Sequence, residues 1–140
     1  MLHKLHTSTE SAIINTETFA FCAVAAEKDK RFNMETDKME DYENIFFDVW
    51  YAGSEEMHQM RLQCENLEEA HRLFCEVREL ARDGFISLEV KENGEGLELR
   101  SILVHKDDIQ YIKTDEDNTT WICYIFGEFE VKNFNPEVIK

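Results

Sequence analysis

Glu68 and His71 stand three residues apart, a spacing that puts two metal ligands on one face of a helix, and Cys75 follows His71 by one turn. A carboxylate-bridged metal site needs a second such set on a facing helix, and a His/Cys pair without two further donors is half a site. The alternative is an ordinary polar helix flank. His105 with Asp107 and Asp108 brings an acid, a base and a turn together, which suits acid–base chemistry or a divalent-ion contact, or else a turn capped by aspartates. His3, near a free amino terminus, could capture copper or nickel as any such start would. Ser54 follows Gly53 as a turn residue and lacks the glycine-flanked setting of an activated nucleophile. The five glycines fall at turns and do not cluster before a helix, so no phosphate cradle is expected. From these residues we expect no catalytic group, no metal and no cofactor, and we do not expect an enzyme.

What the chain has in excess is carboxylate. Thirty acidic side chains face fifteen basic ones, for a formal charge of -15, and the isoelectric point is near 4.6. Such a field repels nucleic acid phosphates and anionic lipid heads and attracts cationic surfaces within about 8 Å at physiological salt. Direct nucleic-acid binding is therefore disfavoured. The acids concentrate in two stretches: Glu35, Asp37, Glu40, Asp41 and Glu43, then Asp107, Asp108, Asp115, Glu116 and Asp117. These ten are the candidate partner-binding residues, with Tyr42, Trp50 and Trp121 as aromatic anchors. The competing reading is a solvated loop and a charge that only keeps the protein soluble. A small anionic ligand would instead need Arg61, Arg72, Arg78 and Arg100 to converge.

These residues must be positioned by a fold, and its clearest element is a helix over about 67–83. Asn66 stands at the N-cap with Glu69 completing a capping box, and Gly84 is the expected left-handed stop. Leu67, Ala70, Leu73, Phe74, Val77, Leu80 and Ala81 form one apolar stripe. Seventeen residues would run roughly 25 Å, enough to cross about five strands. Around the helix the pattern is one of strands. Residues 12–15, 18–26, 44–52, 58–64, 86–90, 97–105, 109–113 and 121–131 read as extended, with hairpin turns at Gly53–Ser54–Glu55 and Asn93–Gly94. Broken alternation between Arg100 and His105 implies a bulge or a strand covered on both faces. Residues 1–11 read as a polar, fraying tip, and 33–44 as an acidic mobile connection or a short surface helix.

The expectation is one α+β domain over 1–140, with a predominantly antiparallel sheet of six to eight strands and one principal amphipathic helix packed on it. Cys22, Cys64, Cys75 and Cys123 lie in apolar segments without metal or redox spacing, as free thiols of a cytoplasmic protein would. The longest apolar run, Phe19 to Ala26, is eight residues, against about 20 needed to span a bilayer. In size and charge the chain resembles phage and mobile-element proteins that block host nucleases, and immunity proteins that block toxins. That likeness is compositional and no family motif accompanies it. It implies a small binder or inhibitor, a nucleic-acid mimic or anti-defence protein, whose partner is a basic protein such as a nucleic-acid-handling enzyme. The alternative is a small-molecule-binding homodimer, the second copy supplying the cover that strands apolar on both faces require.

Overall fold

The computed structural model, which describes residues 1–53, 56–92, 96–125 and 127–139, begins with a hairpin. Strands β1 (Leu2–His6) and β2 (Ser11–Asn15) pair antiparallel, opposing Leu5 to Ala12 and His3 to Ile14. The expected fraying tip is thus structured, because Leu5 and Ile14 each bury one side chain in the main core. His3 Nε2 meets the Glu76 carboxylate, and Arg72 donates to the His6 carbonyl at 2.8 Å, which pins the hairpin to the helix.

Eight further strands form one antiparallel sheet. Strands β3 (Phe21–Asn33) and β4 (Lys38–Ala52) are the longest, followed by β5 (Met57–Cys64), helix α1 (Leu67–Leu80), β6 (Phe85–Val90), β7 (Leu97–His105), β8 (Ile109–Thr114), β9 (Thr120–Tyr124) and β10 (Gly127–Lys132). Their spatial order is β5-β4-β3-β7-β6-β10-β9-β8. The chain is therefore a sheet-rich α+β fold, with eight strands in one sheet, two in another and one α-helix among the described residues. Three expectations change. The connection at 33–44 is a tight turn followed by the first half of β4. The extended run 121–131 is two strands, with Ile125 in the turn between them. Ten strands are present among the described residues, because the amino-terminal segment adds one and this break another. The Asn93–Gly94 signal and the Ser54–Glu55 part of the other turn lie outside the described residues, but the strands flanking both pair antiparallel. A bulge does occur in β7: Ser101 opposes Val24 and Leu99 opposes Ala25, so Arg100 is the extra residue.

Helix α1 starts as its sequence requires, the Asn66 side chain accepting from the Glu69 amide at 2.9 Å. It buries Ala70, Leu73, Phe74 and Val77. It ends at Leu80, before the expected 83, and packs chiefly on β4, β3 and β5. The β1–β2 hairpin shares that layer. Gly84 is left-handed, with φ of +99°, but it turns the chain into β6 after the helix has stopped. A Cβ there would lie 2.4 Å from His105 Nε2.

The opposite face is covered by the sheet itself. Successive β3 residues alternate between two cores: Cys22, Val24 and Ala26 toward the helix, Phe21 and Ala23 away from it. Against the second set, β8, β9 and β10 curl back so that Ile122, Tyr124 and Val131 join Leu88, Ile102 and Val104. Phe21 stacks on Phe129 at 6.0 Å and tilts against Tyr124 at 5.7 Å. The Tyr124 hydroxyl donates to the Ala20 carbonyl at 2.7 Å.

Two thiols in the main core couple folding to alkaline pH. Burial pushes Cys64 up from 9.0 to about 11, and burial pushes Cys22 well above its ordinary value. A folded value above the unfolded one means that the folded chain holds the proton more tightly. The resulting stability is complete below about pH 9 and is lost as pH rises through the folded value, at up to ~1.4 kcal/mol per pH unit per thiol. The melting temperature is expected to fall from about pH 9 upward. Cys64→Val should make that decline shallower, and an unchanged slope in that variant would contradict the assignment.

Candidate functional site

Beyond the bond from the Lys28 amide to the Gly96 carbonyl at 3.3 Å, β3 has no strand neighbour but β4 among the described residues. Five register pairs, from Asp29 with Tyr42 to Asn33 with Lys38, continue as a two-stranded arm. At about 3.3 Å per residue the arm extends roughly 17 Å past the sheet. Its register decides the fate of the first acidic stretch. Lys30 opposes Asp41 and Arg31 opposes Glu40, while the Arg31 guanidinium lies 4.2 Å from the centre of the Tyr42 ring. The Tyr42 hydroxyl donates to Asp29 at 3.1 Å. In the paired section three acids face three bases, so charge balances there and the excess remains in the turn, on Glu35 and Asp37. Glu43 is held at 2.6 Å by Arg100.

The turn itself is well specified. Asn33 Oδ1 accepts from the Glu35 amide at 2.9 Å, the Asp37 amide donates to the Asn33 carbonyl at 2.9 Å, and Asp37 is left-handed at φ +56°. Glu40 accepts from Asn33 Nδ2 and from the Thr36 hydroxyl. Around this turn Phe32, Met34 and Met39 are 50%, 87% and 60% exposed, and Phe32 directly opposes Met39. Sequence reasoning missed these three. Their signal was the parity of Val24, Ala26 and Phe32 along one strand, hidden by four intervening polar or charged residues of low strand propensity among Glu27 to Arg31.

The second acidic set lies elsewhere. Asp108 Oδ2 accepts from Tyr124, beside Ala20 at the start of β3, whereas the tip lies at its far end. Thirteen strand residues separate the two by roughly 40 Å. Asp107 belongs to a 3-10 turn, Lys106–Asp108, capped by His105, whose Nδ1 accepts from the Asp107 amide at 3.2 Å. That geometry is the capping arrangement, with the imidazole as the cap. Asp115 Oδ1 accepts from the Asp117 and Thr119 amides, both at 3.0 Å, and so shapes the turn between β8 and β9 that also carries Glu116. The ten acids do not make one contiguous surface. Of the expected anchors, Tyr42 is engaged within the arm, Trp50 is half-buried against the second core, and Trp121 is half-buried in β9.

Nor do the four arginines converge. Arg72 pairs with Glu76 at 3.5 Å. Arg100 is surrounded by Glu43, Glu98 and Glu92 at 2.6, 3.6 and 3.9 Å. Arg61 forks onto both oxygens of Asp48, at 2.8 and 2.9 Å, and stacks 4.4 Å from the Phe46 ring centre. Asp48 is fully buried on the face away from the helix, and this bond holds Arg61 more basic than usual. Arg78 alone stands free of carboxylates among the described residues, on the helix flank with His71 and Cys75. No group of three or more potential metal-ligating side chains gathers among the described residues. No helix among them is long and apolar enough to cross a membrane.

Comparison with known proteins finds no matching family model, no similar curated protein and no similar solved structure.

Proposed function

We propose that this is a small cytoplasmic binding protein whose β3–β4 arm docks on a basic partner protein, in the manner of an inhibitor. The observation that carries this reading is the arm tip: Phe32, Met34 and Met39 exposed together on a paired, hydrogen-bonded hairpin, with Glu35 and Asp37 beside them. Large apolar side chains at the end of a projecting element are what an interface needs as anchors, and holding them in a hairpin lowers the ordering cost of binding. Charge complementarity selects the partner. With a formal charge of -15 over the whole chain, approach is favoured only for a cationic surface, of which nucleic-acid-handling enzymes are a common source. Because the acids sit in separate places, anchor docking has more support than imitation of a phosphate ladder. The four free cysteines suit a reducing compartment.

The test is retention by immobilised protein at low salt, followed by salt elution and identification of what is retained. A basic partner should be held by the wild type and lost, with affinity falling at least about tenfold, from the combined variant Phe32→Ser, Met34→Ser and Glu35→Lys. Asp107→Asn with Asp117→Asn should retain it. Equal retention by the tip variant, or capture of acidic proteins only, would refute the reading.

A further inference from the structure

The helix-side face of the sheet is not covered along its whole width. Helix α1 packs on β3, β4 and β5, and where β7 and β6 continue that face the floor is made of small hydroxyl side chains, Ser101 and Ser87. The far wall is the carboxyl-terminal tail. Left-handed Asn133, with φ of +55°, turns the chain after β10, and its Nδ2 donates to Glu89 Oε2 at 3.3 Å. Phe134, half-buried against the second core, and Phe74, buried in the main core, both border a cleft of about 460 Å³. That volume lies within the roughly 300–1,000 Å³ usual for small-molecule sites.

The chemistry of the rim is cationic, against the sign of the chain. Arg78 reaches in from the helix and Lys132 from β10, and His71 sits two turns before Arg78 on the same flank. Among the described residues no carboxylate lies within ion-pair distance of Arg78 or Lys132, and the one hydrogen bond of the Arg78 side chain goes to Cys75 Sγ at 3.7 Å. Glu89, the acid that lines the cleft, opposes Lys132 in the ladder and accepts from Asn133, so the lining carries two cations and one carboxylate. In a chain with two acids for every base, a lining with two cations to one carboxylate reverses the local charge balance. A guanidinium matches a carboxylate or phosphate with paired donors, the ammonium adds a point charge, and Phe134 with Val138 offers an apolar wall.

We infer that this cleft between α1, β6, β7 and the carboxyl-terminal tail binds a small organic anion, an aromatic or similarly apolar body carrying a carboxylate or phosphate. This goes beyond arm docking and is independent of it. Arg78 and Lys132 hold the anionic group, Ser87 and Ser101 offer hydroxyl donors beneath it, and Phe134 with Val138 lies against the apolar part.

Nuclear magnetic resonance titration of the full chain tests it, with phenyl phosphate, benzoate, phenol and inorganic phosphate as separate probes. Phenyl phosphate or benzoate should shift amides of His71 to Arg78, Ser87, Ser101 and Asn133 to Asn135 together, saturating with a dissociation constant on the order of 1 mM. Whichever of the two binds more tightly identifies the anionic group. Phenol and inorganic phosphate, each lacking one half of the recognition, should bind at least about tenfold more weakly. Arg78→Gln should weaken binding at least about tenfold, and Ser87→Phe, which fills the floor while leaving Arg78 in place, should abolish it. Both positions are exposed, so both variants should keep the wild-type melting temperature. Shifts scattered over the surface, an equal response to phenol, or undiminished binding by Arg78→Gln would overturn the proposal. None of these outcomes depends on whether the arm finds a partner.

Discussion

Arg61→Met is expected to destabilise the protein by about 3–5 kcal/mol at neutral pH, several times the effect of breaking a surface ion pair. The reason is asymmetry of burial. Arg61 is 33% exposed and could return to water at little cost, whereas its partner Asp48 is 1% exposed and could not. Without the guanidinium fork, a carboxylate remains in the interior beside Ala23, which offers it nothing. Adding Asp48→Leu to Arg61→Met takes away both charges and should restore most of the loss, because a buried pair contributes little relative to apolar residues of similar volume. Urea unfolding of the two single variants and the double variant measures the coupling directly. A loss under about 1 kcal/mol in Arg61→Met would mean that water reaches Asp48 and that the pair behaves as a surface contact.

Phe21→Ala should cost a similar amount, about 3–5 kcal/mol, through a cavity at the centre of the second core. Phe21 is 2% exposed and lies between Tyr124 of β9 and Phe129 of β10. Its loss removes both of these ring contacts between the start of β3 and the β9–β10 hairpin, leaving the Tyr124 hydroxyl bonded to the Ala20 carbonyl. The effect should therefore be local as well as global. Amide hydrogen exchange should rise more in Thr120–Tyr124 and Gly127–Lys132 than in the helix and β4, since subglobal opening follows the weakest interface. Phe21→Leu, which keeps most of the volume, should recover much of the stability. Uniform exchange across both halves would show that the curled strands are held by something other than this ring.

Much of the fold could be read locally. The helix, its Asn66 cap and its stripe of Ala70, Leu73, Phe74 and Val77 follow from periodicity and capping, both properties of neighbours along the chain. The break in alternation between Arg100 and His105 was legible too, and both of its readings hold: Arg100 is the bulge residue, and Ile102, Leu103 and Val104 alternate between the two cores. The amino-terminal strand was misread because Leu2 and Leu5 are its two apolar residues and Leu5 alone of them is buried, and a single buried side chain leaves no period. The split between Tyr124 and Gly127 was hidden for the opposite reason: apolar residues run through it on both sides, and the turn carries no Asn or Pro to mark it.

The candidate site was legible only in composition. Counting carboxylates pointed to Glu35–Glu43, but a count contains no register. Cross-strand pairing set Lys30 against Asp41 and Arg31 against Glu40, which leaves charge only at the turn and exposes Phe32, Met34 and Met39 as the more distinctive feature. The need for cover on strands apolar on both faces was also correctly inferred from sequence, and a second copy of the chain looked like one way to meet it. The curl of β8–β10 meets it within one chain.

By itself, then, the sequence determined the α+β class, the capped helix, the strand periodicity and the negative field, because each of these is a sum over residues or a relation between near neighbours. Which acids are neutralised, which arginine stands apart from them and which aromatic residues are buried depended on contacts between residues tens of positions apart. Those are decided by strand order and by the direction in which the sheet bends, and only the tertiary structure contains them.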